Sequence, residues 1–107
     1  MDIQLKRGLL DVCVLSTLTD GDSYGYKMIR DLAGHVEISE STLYPILKRL
    51  EAGDCVTSYT AEHNSRLRKY YKITPAGREK IAEFLVEWGE VNRICEFIKG
   101  AVNDEQE

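Results

Sequence analysis

Residues 39–55 read SESTLYPILKRLEAGDC. Leu43, Ile46, Leu47 and Leu50 recur at i, i+3, i+4 and i+7, the spacing of one buried stripe on a helix. The opposite face carries Ser41, Pro45, Lys48 and Arg49. Pro45 has no amide hydrogen, so the carbonyl of Ser41 loses its helical partner and stays free on the outward side. The stretch therefore predicts a helix seated on a core by one face, with a small, polar and basic face left bare. Ser39 is the expected N-cap, with Ile38 and Leu43 in the hydrophobic staple positions.

Upstream, residues 3–19 suit a helix in which Leu9, Leu10, Val12, Val14, Leu15 and Leu18 spread over more than one side, so burial on two faces is expected. Asp20-Gly21-Asp22 reads as a turn, and Asp22 or Ser23 as the cap of a second helix over about 23–34. Met28, Ile29 and Leu32 point inward there, and Gly34 ends it. Downstream, CVTSYTAEHNSRLRKYYKIT (55–74) alternates in period two and is rich in β-branched and aromatic residues. With HNSR as the turn, it predicts a two-stranded hairpin with a basic tip and second strand. In TPAG (74–77), Thr74 caps a last helix and Pro75 takes its first position. Along that helix Phe84, Trp88, Val91, Cys95, Ile98 and Val102 are spaced 4, 3, 4, 3, 4. This is a heptad seam, with Ile81, Leu85 and Ile94 beside it, and it predicts a facing helix, expected from a second subunit.

The totals narrow the possibilities. A chain of 107 residues suggests one domain with a modest core, a size at which a partner subunit is often needed. No apolar run approaches a bilayer span, and the acidic residue inside the first apolar stretch argues against a signal peptide. Cys13, Cys55 and Cys95 are odd in number and widely spaced, so neither a disulfide framework nor a zinc site is indicated and a reducing cytoplasm is expected. His35 and His63 have no partner at metal spacing, and no cofactor or metal is expected. No Ser/His/Asp or Cys/His constellation, no carboxylate pair in a plausible cleft and no phosphate-cradling glycine loop points to an enzyme. The net charge of −4 argues at first against nucleic acid. Residues 75–107, however, hold four cations against eight carboxylates and account for that whole excess, while residues 41–74 hold six cations against three carboxylates. A phosphate backbone responds to the local field, and here the middle of the chain is basic.

Three helices followed by a hairpin is the order of a winged helix-turn-helix, whose third helix enters the major groove while the wing lies along the backbone or minor groove. The fold class expected is mainly α with a small β-hairpin, a winged helix-turn-helix over 1–74 and a long C-terminal dimerisation helix over 75–107, the last forming one compact unit with the N-terminal helix. The bare face of the third helix is then the DNA face. Ser41, Thr42 and Pro45 allow close approach, Lys48 and Arg49 reach phosphates or guanine edges, and Arg66, Arg68 and Lys69 on the wing hold phosphates.

SYGYKMIRDL, SESTLYPILKRLE, RKYYKIT and TPAGREK, in this order and spacing, resemble the PadR family of bacterial transcriptional regulators over nearly the whole chain. With a single C-terminal helix it is similar to the small subfamily. The resemblance implies a homodimer joined through the first and last helices and bound to double-stranded operator DNA as a repressor. In some members it also implies release by a small planar aromatic or drug-like ligand near the dimer centre. It places Tyr24, Gly25 and Tyr26 at the start of the second helix, Ser41, Thr42, Tyr44 and Lys48 on the recognition helix, and Arg68 and Lys69 on the wing. Tyr24, Tyr26 and Lys27 thus join Ser41, Thr42, Tyr44, Pro45, Lys48, Arg49, Arg66, Arg68 and Lys69 as the expected DNA-binding set. Trp88 falls where multidrug-binding members stack aromatic ligands between paired tryptophans. The chain departs from the family in having Ser41 before TLYP, Asp54 after Gly53, and SRL in the wing turn where glycine or proline is usual.

Trp88 either packs in the dimer seam or forms a ligand platform, and an aromatic on a two-fold axis can do both. Asp11, Val12, Leu15 and Asn92 border this region and are the other candidate ligand contacts. Cys95 lies on the same seam, where a small core residue is the plainer reading. Two rival readings stand beside the repressor: a thiol-based redox regulator switching through Cys95 or Cys13, and a protein-binding winged helix without DNA affinity.

Overall fold

A computed structural model of the chain describes residues 3–106. The order is α1 (Ile3–Ser16), α2 (Gly25–Leu32), α3 (Glu40–Ala52), β1 (Val56–His63), β2 (Arg66–Ile73) and α4 (Pro75–Gln106). The expected mainly helical winged helix-turn-helix with a hairpin and long last helix is therefore the fold.

α1 ends three residues earlier than its apolar pattern suggests. The hydroxyls of Ser16, Thr17 and Thr19 turn back onto the carbonyls of Val12, Val14 and Ser16. The amides of Thr17, Leu18 and Thr19 bond three residues back. Local side-chain bonds thus tighten the helix and then release it, although Leu18 still enters the core. α2 starts at Gly25 because Ser23 is taken by another element. Its amide and carbonyl pair with Tyr71 at 3.1 and 2.8 Å, forming an antiparallel bridge that ties the loop before α2 to the wing. Tyr24 becomes the N-cap residue, without a side-chain cap bond.

α3 begins after Ser39, whose hydroxyl lies 2.8 Å from that of Ser41 instead of capping an amide. The stripe read from the sequence is buried as expected: Leu43, Ile46, Leu47 and Leu50 join Val14, Leu15, Leu18, Met28, Leu32, Val56, Tyr71 and Ile73 in one core. α3 ends in a Schellman motif. The amide of Cys55 bonds the carbonyl of Leu50 at 2.8 Å and that of Asp54 bonds Glu51 at 3.1 Å, with Asp54 at φ 61. β1 and β2 pair antiparallel in full register from Val56↔Ile73 to His63↔Arg66. The two-residue turn places Asn64 and Ser65 at φ 50 and 65. A tight primed turn needs positive φ at both positions, and Asn tolerates it well.

At α4 the expected cap holds: the Gly77 amide donates to Thr74 Oγ1 at 3.1 Å, and that hydroxyl donates to the Asp54 carbonyl at 2.6 Å. A Cβ at Gly77 would overlap the Cys55 carbonyl oxygen, so the helix start is pressed against the link between α3 and β1. α4 packs along α1 and reaches past the body, giving extents of 65 × 25 × 25 Å.

Candidate nucleic-acid interface

Ser41, Pro45 and Lys48 stand exposed on the side of α3 opposite its core stripe. Two flanking residues of α3 take other roles. Tyr44 lies over the N-terminus of α2, and a Cβ at Gly25 would come within 2.6 Å of its hydroxyl, so the glycine admits the ring. Burial, and secondarily the Glu40 carboxylate, push the Tyr44 hydroxyl up from its ordinary pKa.

Arg49 sits on the other flank. Its Nη2 bonds Asp11 Oδ1 of α1 at 2.6 Å, with the Asp11 side chain only 8 % exposed. The expected outward cation is thus a strut between α1 and α3. The helix turn from Lys48 to Arg49 carries the latter off the bare face and onto α1. Lys27, also expected at DNA, pairs with Asp31 at 2.8 Å on the flank of α2 away from Tyr26. Thr42 is half-buried, its hydroxyl 3.3 Å from that of Ser39.

The wing is braced by aromatic contacts. Tyr59 and Tyr70 stack at 5.6 Å, Tyr70 meets Tyr24 edge-on at 5.8 Å, and Tyr59 donates to Asp22 Oδ2 at 2.6 Å. That hydrogen bond pushes the Tyr59 hydroxyl up. The Arg68 guanidinium lies 3.9 Å from the centre of the Tyr24 ring, which anchors it there while leaving its charge free to meet a phosphate. Lys69 lies 5.5 Å over Tyr71, Arg30 lies 5.7 Å over Tyr26, and Arg66 stands exposed beside the turn. A cleft of about 390 Å³ opens where α2, α3 and the wing meet, lined by Tyr24, Tyr26, Tyr44, Arg68 and Lys69 among others. Lys48 and the three wing cations form no salt bridge among the described residues. Cationic side chains held by aromatic rings next to a bare helix face can grip a polyanion.

The candidate ligand contacts do not converge in the single chain. Leu15 is fully buried in the core and Val12 is buried, so neither lines an open cavity. Asp11 is occupied by Arg49, Asn92 is exposed, and Trp88 is half-buried 5.7 Å from Phe84. A helix buried on two sides sends half its apolar residues into its own domain, and Leu15 is one of these. The candidate seam residues Val91, Cys95, Ile98 and Val102 are all exposed on α4. Burial pushes the Cys13 thiol up, which disfavours its reactive thiolate. No group of three or more His, Cys, Asp or Glu side chains suited to a metal occurs among the described residues, and no described helix is long and apolar enough to cross a membrane.

The Asp11–Arg49 strut and the Tyr24–Arg68 stack were not read from the sequence. The first had a signal: one carboxylate inside the apolar run LLDVCVL needs a buried partner. The second depends on the Ser23–Tyr71 bridge and has no sequence pattern of its own.

Residues 14–83 match the family described as the Transcriptional regulator PadR-like family. A transcriptional regulator of Mycobacterium tuberculosis is 32% identical over 81 residues, covering 75% of this chain and 76% of that protein. A PadR-like transcription factor from Bacteroides fragilis superposes with TM-score 0.78 at 31% identity, over 89% of this chain and 94% of that one. Bacillus subtilis PadR, solved in complex with operator DNA, superposes with TM-score 0.66 at 23% identity, over 72% of this chain and 46% of that one.

Proposed function

We propose that this chain, which belongs to the PadR-like family of transcriptional regulators, represses transcription by binding operator DNA as a homodimer. The observation that carries this reading is the bare face of α3, with Ser41, Pro45 and Lys48 exposed, standing beside the ring-held Arg68 and the exposed Lys69 of the wing. α3 lies in the major groove with Ser41, Pro45 and Lys48 toward the bases, while Tyr44 packs over the start of α2 and lines the cleft beside Arg68. Thr42 adds a contact at the helix start. Arg66, Arg68 and Lys69 hold the flanking backbone, with Tyr24 and Tyr26 at the N-terminus of α2. Phosphate contacts supply most of the affinity, and the α3 face supplies the sequence preference. The complex of the Bacillus subtilis relative with operator DNA supports this use of the shared fold.

In this reading residues 1–74 are the DNA-binding body and residues 75–107 the dimerisation helix. The seam Phe84, Trp88, Val91, Cys95, Ile98 and Val102 meets a second copy. The two Trp88 rings, brought together near the dimer axis, accept a planar aromatic ligand between them, with Asn92 at the edge. Such a ligand releases DNA only by binding better to the arrangement whose α3 helices are wrongly spaced.

The test is fluorescence anisotropy of the DNA upstream of the chain's own gene, over a salt series, with planar aromatic cations added while Trp88 emission is recorded. Saturable, salt-steep binding that falls as a compound quenches Trp88 is the expected result. Salt-steep binding unaffected by any compound leaves the repressor and removes the ligand. Salt-independent binding that survives Lys48→Ala combined with Arg68→Ala removes the DNA reading.

A further inference from the structure

We propose that the cleft between the end of α1 and α2, bordered by the loop that joins them, binds a small linear polyamine, and that filling it slackens the wing. The consequence for transcription rests on the DNA-binding reading above. The site itself stands apart from that reading and from the seam of α4.

The cleft measures about 500 Å³, an ordinary size for a small-molecule site. Three carboxylates border it, Asp20 and Asp22 from the loop and Asp31 from α2. Its basic groups are His35 and Lys27, the latter held by Asp31 at 2.8 Å. Asp20 makes no salt bridge among the described residues. The hydroxyls of Ser16 and Thr17 add acceptors. Both give their protons to the carbonyls of Val12 and Val14, so toward the cleft they offer lone pairs only. Such a lining calls for a positively charged ligand rich in donors. The carboxylates are not grouped to hold a metal ion, and separated acceptors suit a molecule with separated ammonium groups. Cys13 and Leu32 give its methylenes an apolar wall.

Ser23 makes this more than an acidic surface. It lines the cleft, is 2 % exposed, and its hydroxyl is buried without a hydrogen-bond partner. A buried hydroxyl left unpaired costs free energy that a partner returns. An ammonium of the ligand, reaching the floor of the cleft, is that partner.

The same loop braces the wing. Asp22 Oδ2 accepts from the Tyr59 hydroxyl of β1 at 2.6 Å, and the Ser23 backbone pairs with Tyr71 of β2. Tyr24, next in the chain, carries the Arg68 stack. A polyamine that draws the Asp22 carboxylate inward competes with Tyr59 for it. A filled cleft and a braced wing therefore oppose each other, and by linkage polyamine and DNA weaken each other's binding by the same factor.

The test is isothermal calorimetry of the full chain with spermidine at low salt and without DNA. One saturable site is expected. Asp20→Asn should weaken it about tenfold. Ser23→Ala should weaken it about fivefold while melting no lower than wild type, since the lost hydroxyl bonds nothing in the free chain. Tyr59→Phe frees Asp22 and should tighten binding about threefold. Glu87→Gln, an equal change of charge on α4 outside the cleft, should leave the affinity as it is. Equal weakening by Asp20→Asn and Glu87→Gln would mean diffuse attraction to an acidic chain and overturns the site, as does wild-type affinity in Ser23→Ala. Unchanged or weaker binding by Tyr59→Phe overturns the coupling to the wing. On a duplex selected from a random library by the wild-type chain, spermidine is expected to release wild type at concentrations that leave the Asp20→Asn complex intact. Equal release of both is the polyamine's own effect on DNA and overturns the regulatory half. If no duplex is selected, the DNA reading falls, and the calorimetry alone still decides the site.

Discussion

Asp54 holds φ 61 where α3 gives way to β1, a position at which the resemblance leads one to expect glycine. Neighbouring Gly53 has φ −91 and needs no glycine for its own conformation. The left-handed residue is thus one place later than the glycine in the sequence. Asp is among the few residues that tolerate this region, because its short polar side chain bonds locally. Asp54→Gly is expected to leave stability unchanged or raise it by up to about 1 kcal/mol. Asp54→Val is expected to lower it by about 1–2 kcal/mol, since a β-branched side chain meets the following carbonyl there. Urea denaturation of the three proteins checks both, and equal midpoints for Asp54→Val and wild type would mean that the turn relaxes at no cost. The turn at Asn64-Ser65 shows the same economy. The absence of glycine or proline in SRL does not loosen the wing, because Asn64 and Ser65 take the positive φ values themselves. Which residue adopts a left-handed conformation is set by the hydrogen bonds closing around it, and those are not visible in composition.

At the scale of elements, the periodic signals were the legible ones. The stripe of α3 and the alternation of the hairpin follow from spacing, and the Thr74-Pro75 start of α4 from its capping residues; each is where those signals put it. What spacing does not give is how a flanking residue is used. Lys48 and Arg49 are adjacent cations, yet the first is free and the second seats α3 on α1 through Asp11. One residue of helix turns a side chain by about 100°, enough to exchange solvent for a neighbouring helix. Arg49→Ala is therefore expected to destabilise the fold by about 1–3 kcal/mol, because the buried carboxylate of Asp11 loses its partner. Replacing both partners by apolar residues of similar shape, Asp11→Leu with Arg49→Met, should restore much of that loss. In DNA binding, Lys48→Ala is expected to lower the salt slope by about one, and Arg49→Ala to leave it unchanged. A lower slope in Arg49→Ala would return Arg49 to the interface as a phosphate contact. The same pair links α4 to α3 through α1, since α4 packs on α1 and α1 holds α3.

The whole molecule is a body roughly 25 Å across with an arm that extends it to 65 Å. α4 has 32 residues, so it runs for about 48 Å. Val91 is 41 % exposed, Ile98 52 % and Phe97 77 %. A helix in water draws most of its stability from packing an apolar face. The proposed occupant is a second copy, because the seam's spacing of 4 and 3 residues is that of paired helices. In the proposed dimer, pairing would also raise affinity for DNA. One bare helix face and one wing offer few phosphate contacts, while two bodies on one duplex make the second engagement intramolecular. Introducing a carboxylate at the seam separates these effects. Ile98→Asp lies in the arm, far from α3 and the wing, so the contacts proposed for the body stay intact. Sedimentation equilibrium is expected to give twice the 12.2 kDa chain mass for the wild type and 12.2 kDa for Ile98→Asp. Operator affinity should fall by about a hundredfold or more once the two engagements are uncoupled. A monomeric Ile98→Asp that binds its operator as tightly as wild type would show that one body suffices and that the arm serves another purpose. A variant that remains dimeric would move the interface to the other apolar residues of α4, Leu85, Val86 and Phe97, which lie off the heptad line.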